Sequence, residues 1–278
     1  MENLRNKIGV SGFWLKYFAA ACMVLDHIHY FFEYTGKIPL WFSQVGRLAF
    51  PLFMFCIVEG FTHTKNRKKY FLSIYLVSVG MGLLQYLFII SDKLKRSDGF
   101  YPQNQALATF AILLVILQGL DWCAKKHWAK GLAAIILPLV WPFVLIIAAQ
   151  LVPPLSAFVG VLHYTILPMH IAITDGGTTY ILLGVLLYVL RNHRVAQAVA
   201  YFAAHFGVFF ALGLKMQLTG TQFFTMGYEW MGAFAAVLML LYNGTRGHGS
   251  KRFFYIFYPA HVYVLYALSC VLFIAANS

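Results

Sequence analysis

The stretch from Gly131 to Gln150, GLAAIILPLVWPFVLIIAAQ, contains no ionisable residue. At 1.5 Å of rise per residue, about 20 residues of helix cross the roughly 30 Å hydrocarbon core of a bilayer. A soluble domain has no use for such a segment, and the rest of the chain is built the same way. Of 278 residues, 61% are hydrophobic and 11% charged, against roughly 45–50% and 25% in an average soluble domain. Working outward from 131–150, hydropathy marks further spans near 14–34, 41–62, 70–91, 105–121, 178–190, 195–214, 224–242 and 253–275. The expected fold is all-α, a polytopic membrane protein with about nine transmembrane helices. Residues 151–177, broken by Pro153, Pro154, Gly160, Pro168, Gly176 and Gly177, read as a re-entrant segment, an interfacial helix or a tenth span. No repeat, heptad array or low-complexity linker divides the chain, which reads as one transmembrane domain, 1–278.

The first apolar run, Trp14 to Tyr34, carries Asp26, His27 and His29 and lacks a small-residue cleavage site, so it reads as a mature helix and not a removable signal. Cys22, Cys56, Cys123 and Cys270 are scattered without C-x-x-C spacing, which suggests neither a disulfide framework nor a zinc site. The formal charge of +12 sits in short basic clusters between apolar spans. The positive-inside rule explains that pattern without a nucleic-acid partner. With the N-terminus in the cytoplasm, fifteen Lys and Arg fall on the cytoplasmic side, among them Arg5, Lys7, Arg194, Arg246, Lys251 and Arg252. The opposite side receives five, Lys37, Lys93, Lys95, Arg96 and Lys215, and Arg47 stays within a span. The N-terminus is therefore expected in the cytoplasm, in a multi-pass protein of the plasma membrane.

An ionisable side chain near the middle of a bilayer costs several kcal/mol or more, which makes each one a functional candidate. In MVLDHIHYFF, Asp26 and His27 are neighbours about 100° apart on a helix, whereas His27 and His29 diverge by about 200°, so no joint metal site is expected. His27 lies seven residues from Tyr34 and Arg47 six from Trp41, which places both at a depth of roughly 9–10 Å in consecutive antiparallel helices. Asp26 and Arg47 read either as catalytic partners of His27 or as an ion pair tying two helices together. Glu59, near the inner end of the second span, and His261, about 12 Å inside the last, form a second candidate layer. For these the alternatives are a helix-end carboxylate paired with a local Lys and a core histidine bonded to backbone. The loop NGTRGHGSKR is glycine-rich and basic, and Gly244, Arg246 and Gly247 could wrap phosphates. Tyr258 and Pro259 stand beside His261, and a proline inside a span frees a backbone carbonyl.

Four motifs taken together, DH in the first span, GRLAFPLFMF followed by EGFTHTKN in the second, TRG in the last basic loop and FFYIFYPAH in the final span, resemble the TraX family. The TraX family is identified with a broader group of transmembrane acetyltransferases that includes the acyltransferase-3 proteins and the heparan glucosaminide N-acetyltransferase. The resemblance runs from about Leu15 to His261 and is weakest between 120 and 215. It implies transfer of an acetyl group from cytoplasmic acetyl-CoA to an amine or hydroxyl of an acceptor reached from the other face. His27 would then be the catalytic histidine, with Asp26 and Arg47 beside it. Glu59, His63, Asn66, Arg246, Gly247, Tyr258 and His261 would serve the acetyl-CoA. No metal is implied. The alternative of another class is a proton-coupled transporter or flippase, which would call for an inverted repeat of broken helices. Symmetric homo-oligomers are common, and one is open here.

Overall fold

The computed structural model describes residues 9–248 and 251–277, without the side chains of Lys251 and Arg252. Arg5 and Lys7, counted above among the cytoplasmic cations, lie outside the described residues. The chain is helical throughout, with a single isolated β-bridge between Val10 and Tyr242 and no strand among the described residues. The helices are α1 (Gly12–Phe32), α2 (Trp41–Gly46), α3 (Ala49–His63), α4 (Arg67–Ile90), α5 (Ala106–Ala124), α6 (Trp128–Leu151), α7 (Leu155–Tyr164), α8 (Thr178–Val189), α9 (Arg194–Lys215), α10 (Gln222–Thr225), α11 (Ala235–Leu241) and α12 (Lys251–Asn277). A 3-10 segment, Tyr228–Phe234, leads into α11.

Among the described residues six helices are long and apolar enough to cross a membrane, against the nine expected: Trp41–His63, Arg67–Ile90, Ala106–Ala124, Trp128–Leu151, Arg194–Lys215 and Phe253–Asn277. The other three differ for separate reasons. Helix α1 has 21 residues, but Lys16, Asp26, His27 and His29 make it less apolar. Helix α8, with 12 residues, rises only about 18 Å. The segment expected at 224–242 begins at Tyr228 and runs as a 3-10 turn into a short helix. The broken stretch 151–177 holds the ten-residue α7, too short to be a tenth span.

The chain divides into two compact units, one of residues 1–62 and 186–254, the other of 63–185 and 255–278. In the second unit α5 and α6 form a close antiparallel pair. The approach is set by glycine: a Cβ on Gly119 would stand 2.8 Å from the Gly131 carbonyl, and one on Gly131 would stand 2.8 Å from the Gly119 carbonyl. Ile112, Ile116, Ile173 and Ile181 form a core against which Ile135, Leu139 and Val185 pack. The outward side of α6, with Leu132, Ile136, Leu137, Val140, Phe143, Val144 and Ile147, is exposed, an apolar face that lipid would cover. Arg96, expected as a loop cation, is instead buried. It bonds to Asp98 at 2.8 Å, reaches Ser269 Oγ at 3.4 Å and lies over the Phe100 ring. That hydrogen bond holds the Asp98 carboxyl below the usual carboxylate range.

The glycine contact between α5 and α6 is testable beside a glycine that touches nothing. Gly131→Val overpacks a backbone contact and should cost about 1–3 kcal/mol. Gly80, with open space around its Cβ position, should tolerate Gly80→Ala with a gain of about 0.5–1 kcal/mol from helix propensity. Thermal unfolding of the two variants in detergent reads the difference.

Candidate functional site

In the first unit the polar centre is Arg47, and the chain around it explains its position. Pro51 has no N–H to give the carbonyl four residues earlier, that of Arg47. The helix accordingly breaks in a turn at Arg47 and Leu48, between α2 and α3. On one side Gly46 lets α1 come close, since a Cβ there would stand 2.8 Å from Asp26 Oδ1. On the other, Gly232 admits α9: a Cβ would stand 2.6 Å from His205 Nε2 and 3.0 Å from the Arg47 carbonyl.

Into this junction the guanidinium of Arg47 reaches with both arms. One terminal nitrogen bonds Asp26 Oδ1 and the other Glu229 Oε1, while Nε donates to the Ser43 carbonyl at 3.2 Å. Its plane lies 5.6 Å from the Tyr228 ring. Planar forked donors make Arg the residue suited to two carboxylates at once. His205 holds the Glu229 backbone in place: its Nε2 donates to the Glu229 carbonyl at 3.0 Å and its Nδ1 pairs with Tyr201 Oη at 2.8 Å. A carbonyl only accepts, so the ring proton sits on Nε2 and the tyrosine donates to Nδ1. His27 is buried next to Asp26 in sequence, its ring 6.0 Å from that of Phe31 and 6.4 Å from that of Tyr30.

A second polar layer lies in the same unit, further along α3 and α9. Glu59 Oε1 accepts from Arg194 at 3.0 Å, and both side chains are largely buried. Arg194 also donates to Gln197 Oε1 at 2.7 Å and lies over the rings of Phe55 and Tyr242. Gln197, fully buried, donates in turn to the Leu187 carbonyl at 2.6 Å. Arg194 and His205 are eleven residues apart on one continuous helix, so the two layers are separated by about 16 Å. Glu59 is thus paired with an arginine 135 positions away.

The remaining candidates fall into three settings. In the first unit Arg246 is exposed in a loop pinned to the start of α1, where the Gly12 N–H donates to the Thr245 carbonyl at 2.8 Å. Gly247 has φ +67 and a Cβ there would stand 2.8 Å from Phe13 Cβ, so its glycine has a packing reason of its own. In the second unit His63 and Asn66 are exposed, and Asn66 Oδ1 caps α4 by accepting from the Lys69 N–H at 2.9 Å. Also in that unit, His261 Nδ1 donates to the Phe257 carbonyl at 2.8 Å and stacks on the Phe257 ring, while the Tyr258 hydroxyl is buried. Among the described residues no three His, Cys, Asp or Glu side chains converge as a metal site would require.

The match with known families covers this whole arrangement: residues 11–269 fit the family described as TraX protein. The chain belongs to the TraX family. A curated relative, "Probable fimbrial assembly protein FimC, serogroup H1" of Dichelobacter nodosus, is 26% identical over 277 residues, covering 94% of this chain and 97% of the relative. No solved structure matches. Within this TraX-family fold the sequence brought Asp26 and Arg47 together correctly, and missed Glu229, His205 and Arg194. Glu229 carried a signal, because it is one of only nine acidic residues and sits in an apolar segment, TMGYEWMGAF.

The Glu59–Arg194 pair should behave as a buried unit. Glu59→Ala and Arg194→Ala each remove one half of a largely buried ion pair and should each lose roughly 3 kcal/mol of stability. The double variant should lose less than the sum, with a coupling of about 1–3 kcal/mol in a double-mutant cycle of thermal or denaturant unfolding.

Proposed function

We propose that this TraX-family protein is a multi-pass plasma-membrane acetyltransferase, moving an acetyl group from cytoplasmic acetyl-CoA to an amine or hydroxyl of an acceptor reached from the other face. The observation that supports it best is a carboxylate–arginine–carboxylate centre, next in sequence to a buried histidine, in a chain otherwise so apolar. A purely structural tie between helices needs one ion pair; two carboxylates on one guanidinium leave an excess negative charge in a centre whose Asp26 is the chain neighbour of His27. That charge suits an imidazole that takes up a proton during reaction.

In the reaction His27 removes the proton from the acceptor nitrogen or oxygen as that atom attacks the thioester carbonyl. The new C–N or C–O bond forms, the C–S bond breaks, and the proton passes from the imidazolium to the departing CoA thiolate. Asp26 and Glu229 hold Arg47, and Asp26, the chain neighbour of His27, offsets the positive charge that the imidazole gains. The exposed Arg246 and its loop would meet the CoA phosphates at the cytoplasmic face. Without Arg194 and Arg96, which the fold pairs internally, the cations still divide fourteen to four, which supports that orientation, with the N-terminus inside. It requires that α1, α8 and the 228–241 segment cross together with the six long helices. The relative's name, a fimbrial assembly protein, fits an acceptor handled outside the cytoplasm.

Calorimetry of acetyl-CoA with detergent-purified protein tests the reading. Wild type should bind, Arg246→Ala should bind more weakly, and His27→Ala should bind as wild type does. A wild type that ignores acetyl-CoA at millimolar concentration would turn the intramembrane charges toward proton-coupled transport.

A further inference from the structure

The second unit contains a small cavity that the proposed reaction does not use. It is lined by polar groups from three places in the chain: Ser78 on α4, Asn104 and Gln105 at the start of α5, and His163 with Thr165 at the end of α7. Gly82 brings the walls together, its α-carbon packed so closely on the Tyr164 carbonyl that no side chain fits between. The space open to the centre of a water-sized sphere is about 10 Å³, enough for one small polar group.

Among the buried polar atoms of its lining, His163 Nε2 and Gln105 Oε1 have no hydrogen-bond partner. Their residues are only 5% and 7% exposed, and buried polar atoms in folded proteins are almost always paired. The tautomer of His163 follows from its other nitrogen. Nδ1 accepts the Met169 N–H at 2.9 Å, so it carries no proton; the ring is neutral and Nε2 bears the hydrogen. The cavity therefore presents an N–H donor and an amide oxygen. No Asp, Glu, Lys or Arg lines it among the described residues, which speaks against an anion or a cation as the occupant.

We propose that this cavity is a binding site for an uncharged hydroxyl group, supplied by water or by the alcohol of a bound molecule. The oxygen accepts from His163 Nε2 and the hydroxyl hydrogen is donated to Gln105 Oε1. A hydroxyl satisfies both orphaned atoms at once, which neither a methyl group nor a single-function donor would do.

Hydroxyl-radical footprinting of the full-length protein in detergent tests this, because Met81 lines the cavity and is 5% exposed. Met54 and Met239, each 0% exposed, serve as dry controls. If water occupies the site, Met81 is oxidised several-fold faster than both controls and carries ¹⁸O when the solvent is H₂¹⁸O. If a bound alcohol occupies it, Met81 stays protected, and denaturation releases a hydroxyl compound from wild type that is absent from His163→Phe. In the water case His163→Phe brings Met81 down to the control rate, and Gln105→Leu reads the same effect should the first variant not fold. Oxidation of Met81 no faster than the controls with nothing released, or oxidation unchanged in a folded variant, would overturn the proposal.

Discussion

The arrangement of the first unit depends on Arg47 being held between two carboxylates. Its cause is a proline four residues on, which withholds the N–H that would have continued the helix through Arg47. The break turns an arginine that could have snorkelled along a span into one that lies at a junction of three elements. Gly46 and Gly232 then set how near α1 and α9 come. Remove either glycine and a side chain intrudes on Asp26 or on His205. The ion triad and the tight packing are consequences of the same few residues, GR and P in GRLAFP and the glycine of the 3-10 segment.

Ion pairs of this kind are a poor source of stability, since taking charges out of water costs about as much as their attraction returns. In a chain so apolar, hydrophobic substitutes would pack as well. The first unit nevertheless keeps two ionic layers, Asp26–Arg47–Glu229, which joins α1, the turn before α3 and the 3-10 segment, and Glu59–Arg194, which joins α3 and α9. The second layer is locked, with Arg194 committed to Glu59, Gln197 and two aromatic faces. The first carries one carboxylate more than its arginine balances, and its Asp26 precedes His27 in the chain. Under the proposed acetyl transfer the first layer would carry the chemistry and the second would brace the helices.

Much of the helix order was legible because hydrophobic run length is a strong signal, and α4, α5, α6 and α9 lie within a few residues of where hydropathy puts them. The count of membrane-length helices was less so. Hydropathy alone does not register that Tyr228–Leu241 folds as a tight 3-10 turn and a short helix, or that α8 stops after 12 residues. The Asp26–Arg47 pair was readable from equal depth in consecutive helices. Arg194 and Arg96 were not, because counting cations by side treats each as a loop charge, and a loop charge that folds back onto a carboxylate has the same sequence signature. Glu59 shows the complement: the arginine that it pairs with lies 135 residues away, beyond any local pattern.

The central claim is that the surplus carboxylate of the Arg47 centre serves acetyl transfer. The most direct measurement is release of free CoA thiol from acetyl-CoA by purified protein, with glycinamide as amine probe and glucose as hydroxyl probe, for wild type and Glu229→Gln. The account expects thiol release by wild type above the protein-free background with at least one probe, and slower release by a Glu229→Gln protein that still unfolds cooperatively. No thiol release with either probe, or a Glu229→Gln variant as fast as wild type, would contradict it.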